Sequence, residues 1–390
     1  MHWAYALLII ATLWFLVYIL GRYFKLDEKY DWTLGPLFLL IRTKRFNKFL
    51  TKVAIKHARF WRVFGNVSIF FGFISMLTSF GVLLYSLINI FLPSSPIQGP
   101  TVGLIIPGVT ISFKTALYLI IPIILAMLPH EFAHGVVSRA EEVEIKSTGL
   151  AFFAIFFGAF VEPDEEYMNK TSYATRMRTY AAGMFPNLLL GLLTIPILIY
   201  APNIIAPFYH PSDGILIQDV VADGPADASG LKRGMAIFDA NSTHLYNSSI
   251  FSNFMINTNP NQLVVLNTTD GIFNVRLGVN PDNDTVGYLG IYSVPYQEPK
   301  TKISWKFFPM VFEQQLVWMV VVLFGSVLFN ALPIPFLLDG DKLLSTFLLK
   351  YIRKRKVALI ILDIFRFLAI TIFLAVLIIP IVKFGFVTLG

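Results

Sequence analysis

The sequence predicts a polytopic α-helical membrane protein of about six transmembrane helices, carrying one small α+β domain outside the bilayer. Three observations predict it. Hydrophobic residues make up 56% of the 390-residue chain and charged residues only 14%, with a mean hydropathy of +0.66, well outside ordinary globular usage. Apolar stretches long enough to cross a bilayer fall near 3–20, 65–92, 112–138, 178–201, 311–332 and 357–383. Residues 202–306 break this pattern with a polar, turn-rich run of short alternating segments.

The first span opens "MHWAYALLIIATLWFLVYIL", with no basic leader and no small-residue cleavage pattern, so it reads as a retained anchor rather than a signal peptide. Eleven Lys and Arg crowd 22–62 and six crowd 342–356, whereas 93–113 has none. The positive-inside rule then places 21–64, 139–177 and 333–356 in the cytoplasm, and both termini and 202–306 outside. In "RTKRFNKFLTKVAIKHARFWR" (42–62) aromatic residues interleave with the charges. This favours one amphipathic helix on anionic membrane lipid over a nucleic-acid contact. The segment 147–162 is apolar but too short to span, and reads as a re-entrant or sheet-like hairpin. The absence of cysteine excludes disulfides, thiolate catalysis and Cys-rich metal sites.

Chemistry concentrates in "ILAMLPHEFAHGVVSR" (124–139). His130 and His134 stand four apart and share a helix face, with Glu131 just around the turn. Two imidazoles at this spacing bind one zinc while the carboxylate handles a water. Ionisable groups in a span cost roughly 2.5–3.5 kcal/mol each on insertion scales, so their presence asks for a function. A proton relay is the competing use. A hydrolytic zinc takes three protein ligands, and no other histidine lies in the predicted spans, so a carboxylate is needed. Asp339, in "FNALPIPFLLDGDKLL", is the best candidate. Pro333 and Pro335 break the helix there, and Gly340 is expected to permit the turn that swings Asp339 inward. A capping role for Asp339 is the bland alternative. Asn187, in a Gly-rich span, has one as well, a hydrogen bond between helices.

Two resemblances follow. In 202–306, Gly214-Ile215-Leu216-Ile217, Gly224-Pro225-Ala226 and Gly230-Leu231-Lys232-Arg233-Gly234 resemble a PDZ domain of the bacterial, protease-associated type. That implies capture of a C-terminal or extended peptide on the 214–217 strand. Four Asn-x-Ser/Thr sequons (Asn241, Asn247, Asn267, Asn283) lie in the same domain and agree with an outside location. HEFAH at 130–134, GMFPN at 183–187 and NALPIPFLLDG at 330–340 together resemble the site-2 protease family of intramembrane zinc metalloproteases. The resemblance covers about 114–345.

It implies one zinc per chain on His130, His134 and Asp339, with Glu131 as general base and Asn187 positioning substrate or the oxyanion. Asn330 to Asp339 is one residue longer than the family's usual spacing, which leaves either a bulge in "PFLL" or a part for Asp341. The implied organisation is accessory spans and a basic segment in 1–113, core halves in 114–201 and 307–345, a PDZ-like domain in 202–306, and an accessory span in 346–390. The implied activity is cleavage of transmembrane or membrane-adjacent segments of other membrane proteins at the cell membrane. The alternatives are a catalytically silent binding scaffold and a transporter with a His/Glu proton relay. A transporter would show inverted repeats, and no such symmetry is visible.

Overall fold

The computed structural model describes residues 2–30, 32–91, 103, 105–107, 110–154, 156–301, 305–336 and 338–384. Most of the uncharged 93–113 loop therefore lies outside the described residues. The chain forms two compact units, Met1–Ile195 with Trp318–Gly390, and Pro196–Val317.

The first unit begins with α1 (His2–Tyr23), α2 (Leu26–Tyr30), β1 (Thr33–Leu34) and β2 (Phe38–Thr43), followed by α3 (Arg45–Lys56) and α4 (Ala58–Phe91). It continues with α5 (Phe113–Tyr118), α6 (Ile120–Ala140), β3 (Ile145–Phe153), β4 (Phe156–Pro163), α7 (Glu165–Lys170), α8 (Tyr173–Ala181) and α9 (Met184–Ile199). Ser112, Asp164 and Ser172 cap α5, α7 and α8, each side chain accepting a backbone N–H of the first turn.

The chain then passes through α10 (Ala201–Ile205), β5 (Tyr209–Val220), α11 (Pro225–Ala228), β6 (Ala236–Ala240), β7 (Thr243–His244) and α12 (Ser248–Ile256). Strands β8 (Leu263–Thr268), β9 (Gly271–Arg276), β10 (Gly278–Val279), β11 (Gly287–Tyr288) and β12 (Ile291–Pro299) complete the second sheet region. Helices α13 (Phe308–Asn330), α14 (Asp339–Tyr351) and α15 (Arg355–Phe384) close the chain.

Among the described residues, five helical segments are long and apolar enough to cross a membrane: Ala58–Phe91, Phe113–Ala140, Tyr173–Ile199, Phe308–Asn330 and Arg355–Lys383. The expected first span falls in α1, where Ala11–Tyr23 is a shorter apolar helix. Helix α4 buries a stripe of small residues, Gly65, Ser68, Gly72, Ser75, Ser79 and Ser86. A Cβ on Gly65 would lie 2.8 Å from the Arg178 Cβ, and one on Gly72 would lie 2.9 Å from Leu343 Cδ2. Small side chains thus let α8 and α14 approach α4 closely, the usual basis of helix contact in lipid.

Residues 42–62 are not one amphipathic helix. Phe38–Thr43 pairs with β3, giving an antiparallel sheet in the order β1-β2-β3-β4, and the helix begins only at Arg45. Its apolar face is filled by protein: Leu50 and Ala54 are fully buried in a cluster with Val136, Ala140 and Ile145. Strand β4 is the sheet's outer member, with β3 on one side only.

In the second unit the sheet order is β12-β5-β6-β8-β9, with β7 on β6. Val264, Leu266 and Thr268 of β8 turn inward by simple alternation and join Ile215, Ile217, Ile237 and Val275 around the core. The expected peptide-binding strand 214–217 is interior. Ile215 and Leu216 pair with Ile237 and Ala236 on one side and with Pro295 and Val294 on the other. The free edges belong to β12 and β9. The reason is chain order: β12, late in sequence, returns to cover the edge that β5 would otherwise expose.

On this unit's surface, His244 bridges two acids, with Nδ1 3.0 Å from Asp239 and Nε2 2.6 Å from Asp213. These hydrogen bonds, Asp239 first, raise the imidazole pKa above its ordinary value. A raised folded pKa stabilises the fold fully below the unfolded value of about 6.5 and loses that contribution as pH rises through the folded value. NMR titration of His244 is expected to show a midpoint above 6.5. His244→Gln should remove the matching alkaline loss of stability, and a midpoint at or below 6.5 would contradict the bridge.

Candidate metal centre

Pro129 lies inside α6 and removes one backbone N–H, leaving the Leu125 carbonyl without its helical donor immediately before the two histidines. His130 and His134 are both buried and project from one face, their Nε2 atoms 3.1 Å apart. Glu131 points toward the sheet, where its Oε2 accepts the backbone N–H of Val161 at 2.9 Å. Among the described residues no strand pairs with the far side of β4, and this outward N–H serves the glutamate.

A break between α8 and α9 forms a second wall. Helix α8 stops at Ala181, and the cap N–H of Ala182 reaches back to Thr179 O at 3.3 Å. His134 Nδ1–H donates to the same carbonyl, which has two lone pairs, at 2.7 Å. This bond selects the tautomer whose Nε2 carries the lone pair. Gly183 follows at once. A Cβ there would sit 2.3 Å from His134 Nε2 and 2.6 Å from His130 Nε2, so the glycine of GMFPN keeps open the space in front of both imidazoles.

Asp339 supplies the third group, with Oδ2 3.0 Å from His134 Nε2 and 3.1 Å from His130 Nε2. It is the first residue of α14, where a carboxylate complements the helix N-terminus. The turn that delivers it is not made by Gly340. The left-handed residue is Phe336, at φ 68° and 99% exposed. Gly340 lies inside α14, and a Cβ on it would come within 2.1 Å of the Ala331 carbonyl. Its role is close approach rather than reversal. Phe336 juts out of the loop between Asn330 and Asp339.

Asp341 is turned to another helix. It is 5% exposed, and both of its oxygens accept from Arg366 of α15, at 2.6 and 2.7 Å. Its neighbour Lys342 turns to Glu165 instead. Asn187 is buried too, but its Nδ2 donates to Ser326 Oγ across to α13 at 2.9 Å. The described contacts therefore bring together His130, His134 and Asp339, with Glu131 beside them, and give Asn187 an interhelical partner.

The converging atoms fit a metal ion. One donor atom from each of the three residues lies within 4.8 Å of the others. With no proton on either Nε2 these atoms present lone pairs at 3.0–3.1 Å, an arrangement that a cation among them relieves. For bonds of about 2.0–2.1 Å, the ligand–ligand edge of a tetrahedron is about 3.3 Å, close to the observed triangle. Sequence reasoning did not find Arg366 or the Thr179 carbonyl. Gly183 had been visible only as a motif letter.

Gly183→Ala is expected to abolish or sharply reduce metal uptake without unfolding the chain, since the added methyl enters the ligand triangle and not a packed core. Elemental analysis alongside circular dichroism checks this. A normal metal content in a folded Gly183→Ala protein would refute the assigned geometry.

Comparison with known proteins identifies the family. The model of peptidase family M50 matches residues 118–376, which include every residue of the triangle. A membrane-bound transcription factor site-2 protease homolog of Arabidopsis thaliana is 20% identical over 185 residues, covering 47% of this chain and 36% of that protein. An uncharacterized protein of Methanocaldococcus jannaschii is 27% identical over 206 residues, covering 50% of this chain and 51% of that protein. The chain thus spans about half or less of the length of these curated relatives. A PDZ domain of an SdrC-like protein from Listeria monocytogenes is similar over 21% of this chain and 88% of that one, at 22% identity and a TM-score of 0.19. With the family model matching well over half of its length, this multi-pass membrane protein belongs to peptidase family M50.

Proposed function

We propose that the protein is an intramembrane zinc metalloendopeptidase that cleaves transmembrane or membrane-adjacent segments of other membrane proteins. The observation that carries the proposal is the triangle of His130, His134 and Asp339 beside Glu131, at the open edge of a strand. Two imidazoles and a carboxylate suit zinc, and three protein ligands leave a position for chemistry. When bound, the metal supplies Lewis acidity and a water activated at neutral pH.

The chain's own residues supply the rest. Glu131 takes the proton of the attacking water and delivers it to the leaving amine. A helical substrate hides its amides in i→i−4 hydrogen bonds and must unwind before attack. The edge of β4 supports a place for the unwound stretch. Val161 turns its N–H outward to Glu131, and in an unbroken antiparallel ladder Ala159 and Phe157 turn their backbone groups to the same side. A substrate strand laid along these residues would pass the general base. Asn187 holds Ser326 through one amide N–H, and its buried Oδ1 has no hydrogen-bond partner among the described residues, so its proposed part is to position substrate from a side chain anchored on α13.

The second unit is proposed to bind extended or C-terminal peptides. Its open strand β12 is the surface for this, with the stretch before Pro295 as the part able to continue a ladder. Its location outside, opposite the cytoplasmic basic loops, rests on the Lys/Arg distribution.

Purified protein is expected to carry about one zinc per chain and to lose peptide cleavage on chelation. Glu131→Gln should keep the metal but lose on the order of 10²–10⁴-fold in rate, the usual worth of a general base. His130→Ala should lose both. Zinc-free active protein, or full turnover by Glu131→Gln, would end this reading. For sidedness, single cysteines at Ser249 and Ser345 separate the orientations. An impermeant thiol reagent on intact cells should label position 249 and spare 345, and the reverse would invert the topology.

A further inference from the structure

We infer that Arg366 of α15 is a positioning residue for the metal centre, holding Asp339 in place through Asp341. The inference rests on Asp339 being a metal ligand. Asp341 lies two residues beyond Asp339 in the first turn of α14. Its carboxylate is gripped in a two-pronged fork, Nε to Oδ1 at 2.6 Å and Nη2 to Oδ2 at 2.7 Å. The fork fixes the rotation of the turn as well as its distance, because guanidinium and carboxylate must be coplanar to make both bonds.

The same helix also grips the other side of the ligand. Val376 of α15, with Ile372 and Phe373 against it, packs in one cluster with Leu332 and Leu338, the latter immediately before Asp339. A third constraint is the Gly340 contact, which seats the turn on the Ala331 carbonyl. Asp339 therefore lies between Leu338, in an apolar cluster that includes Val376 of α15, and Asp341, ion-paired to Arg366 of the same helix. An arginine within a membrane-spanning helix is unfavourable unless it is paired. Helix propensity and packing do not call for this charge, since neighbouring α15 positions such as Leu362 and Ala369 are apolar and buried. Arg366 also reaches the exposed Asp363 at 3.2 Å, a contact within its own helix that does nothing for α14. The last span thus sets the geometry of the third ligand.

The test is metal affinity of the full-length protein, with zinc alone titrated into chelator-stripped samples and cobalt substitution to report coordination. Arg366→Lys keeps the charge but cannot form the fork. Its zinc Kd is expected to rise about 10–100-fold, the usual effect of losing an outer-shell partner, with an altered cobalt spectrum and unchanged helical content. The paired variant Asp341→Leu/Arg366→Leu removes both charges together, so no buried ion is stranded. It should fold and show the same loss, whereas Asp363→Asn should bind as the parent does. An unchanged zinc Kd and cobalt spectrum in either folded variant overturns the inference while leaving the metal site intact. Failure of the parent protein itself to bind zinc overturns the metalloprotease reading beneath it.

Discussion

Three electron-rich atoms held about 3 Å apart inside a bundle of apolar helices are the constraint on which the first unit depends. With no proton on either Nε2, His134 Nε2, His130 Nε2 and Asp339 Oδ2 repel one another until a cation joins them, and the two imidazoles lose hydration by being buried. Such a triangle persists only when the backbone behind every member is fixed. Both histidines ride one helix, which settles two corners with a single element. The third corner comes from a helix about two hundred residues further on, and the surrounding contacts serve to hold it there.

The supports differ in kind. Thr179, in the last turn of α8, lends its carbonyl, and so sets the proton on His134. Gly183 contributes by lacking a side chain, and Gly340 does the same on the opposite wall. Arg366 and Val376 attach α14 and its approach to the last span. Around these, the small residues of α4 allow α8 and α14 to close in without a hydrophobic driving force, which lipid does not provide. Glu131 is held separately by the strand edge. It shares α6 with both histidines, but its carboxylate is held at the sheet while their imidazoles face Asp339.

Local signals carried much of this. The five long apolar segments announce themselves by length and composition, and the pair His130 and His134 by its spacing of four, because helical periodicity converts sequence distance directly into direction. The alternating β8 is legible for the same reason. The reading failed where partners are remote. Nothing in residues 38–43 distinguishes a strand from the start of a basic helix until β3 arrives to pair with it. The interior position of Ile215 and Leu216 depends on β12, some eighty residues later in the chain. Nothing local marks the partner of Asp341, because Arg366 sits in another helix.

The sequence by itself determined the class of molecule, the spans by composition, and the identity of the residues able to hold a metal. Those properties follow from side-chain chemistry and local period, which need no third dimension. Tertiary structure decided which carboxylate completes the triangle, which glycine makes room for it, which strand edges stay open and which arginine steadies the ligand turn. The physical reason is the same in each case. Directional hydrogen bonds and close contacts between segments far apart in the chain act only once those segments meet, and no local pattern encodes where they will meet.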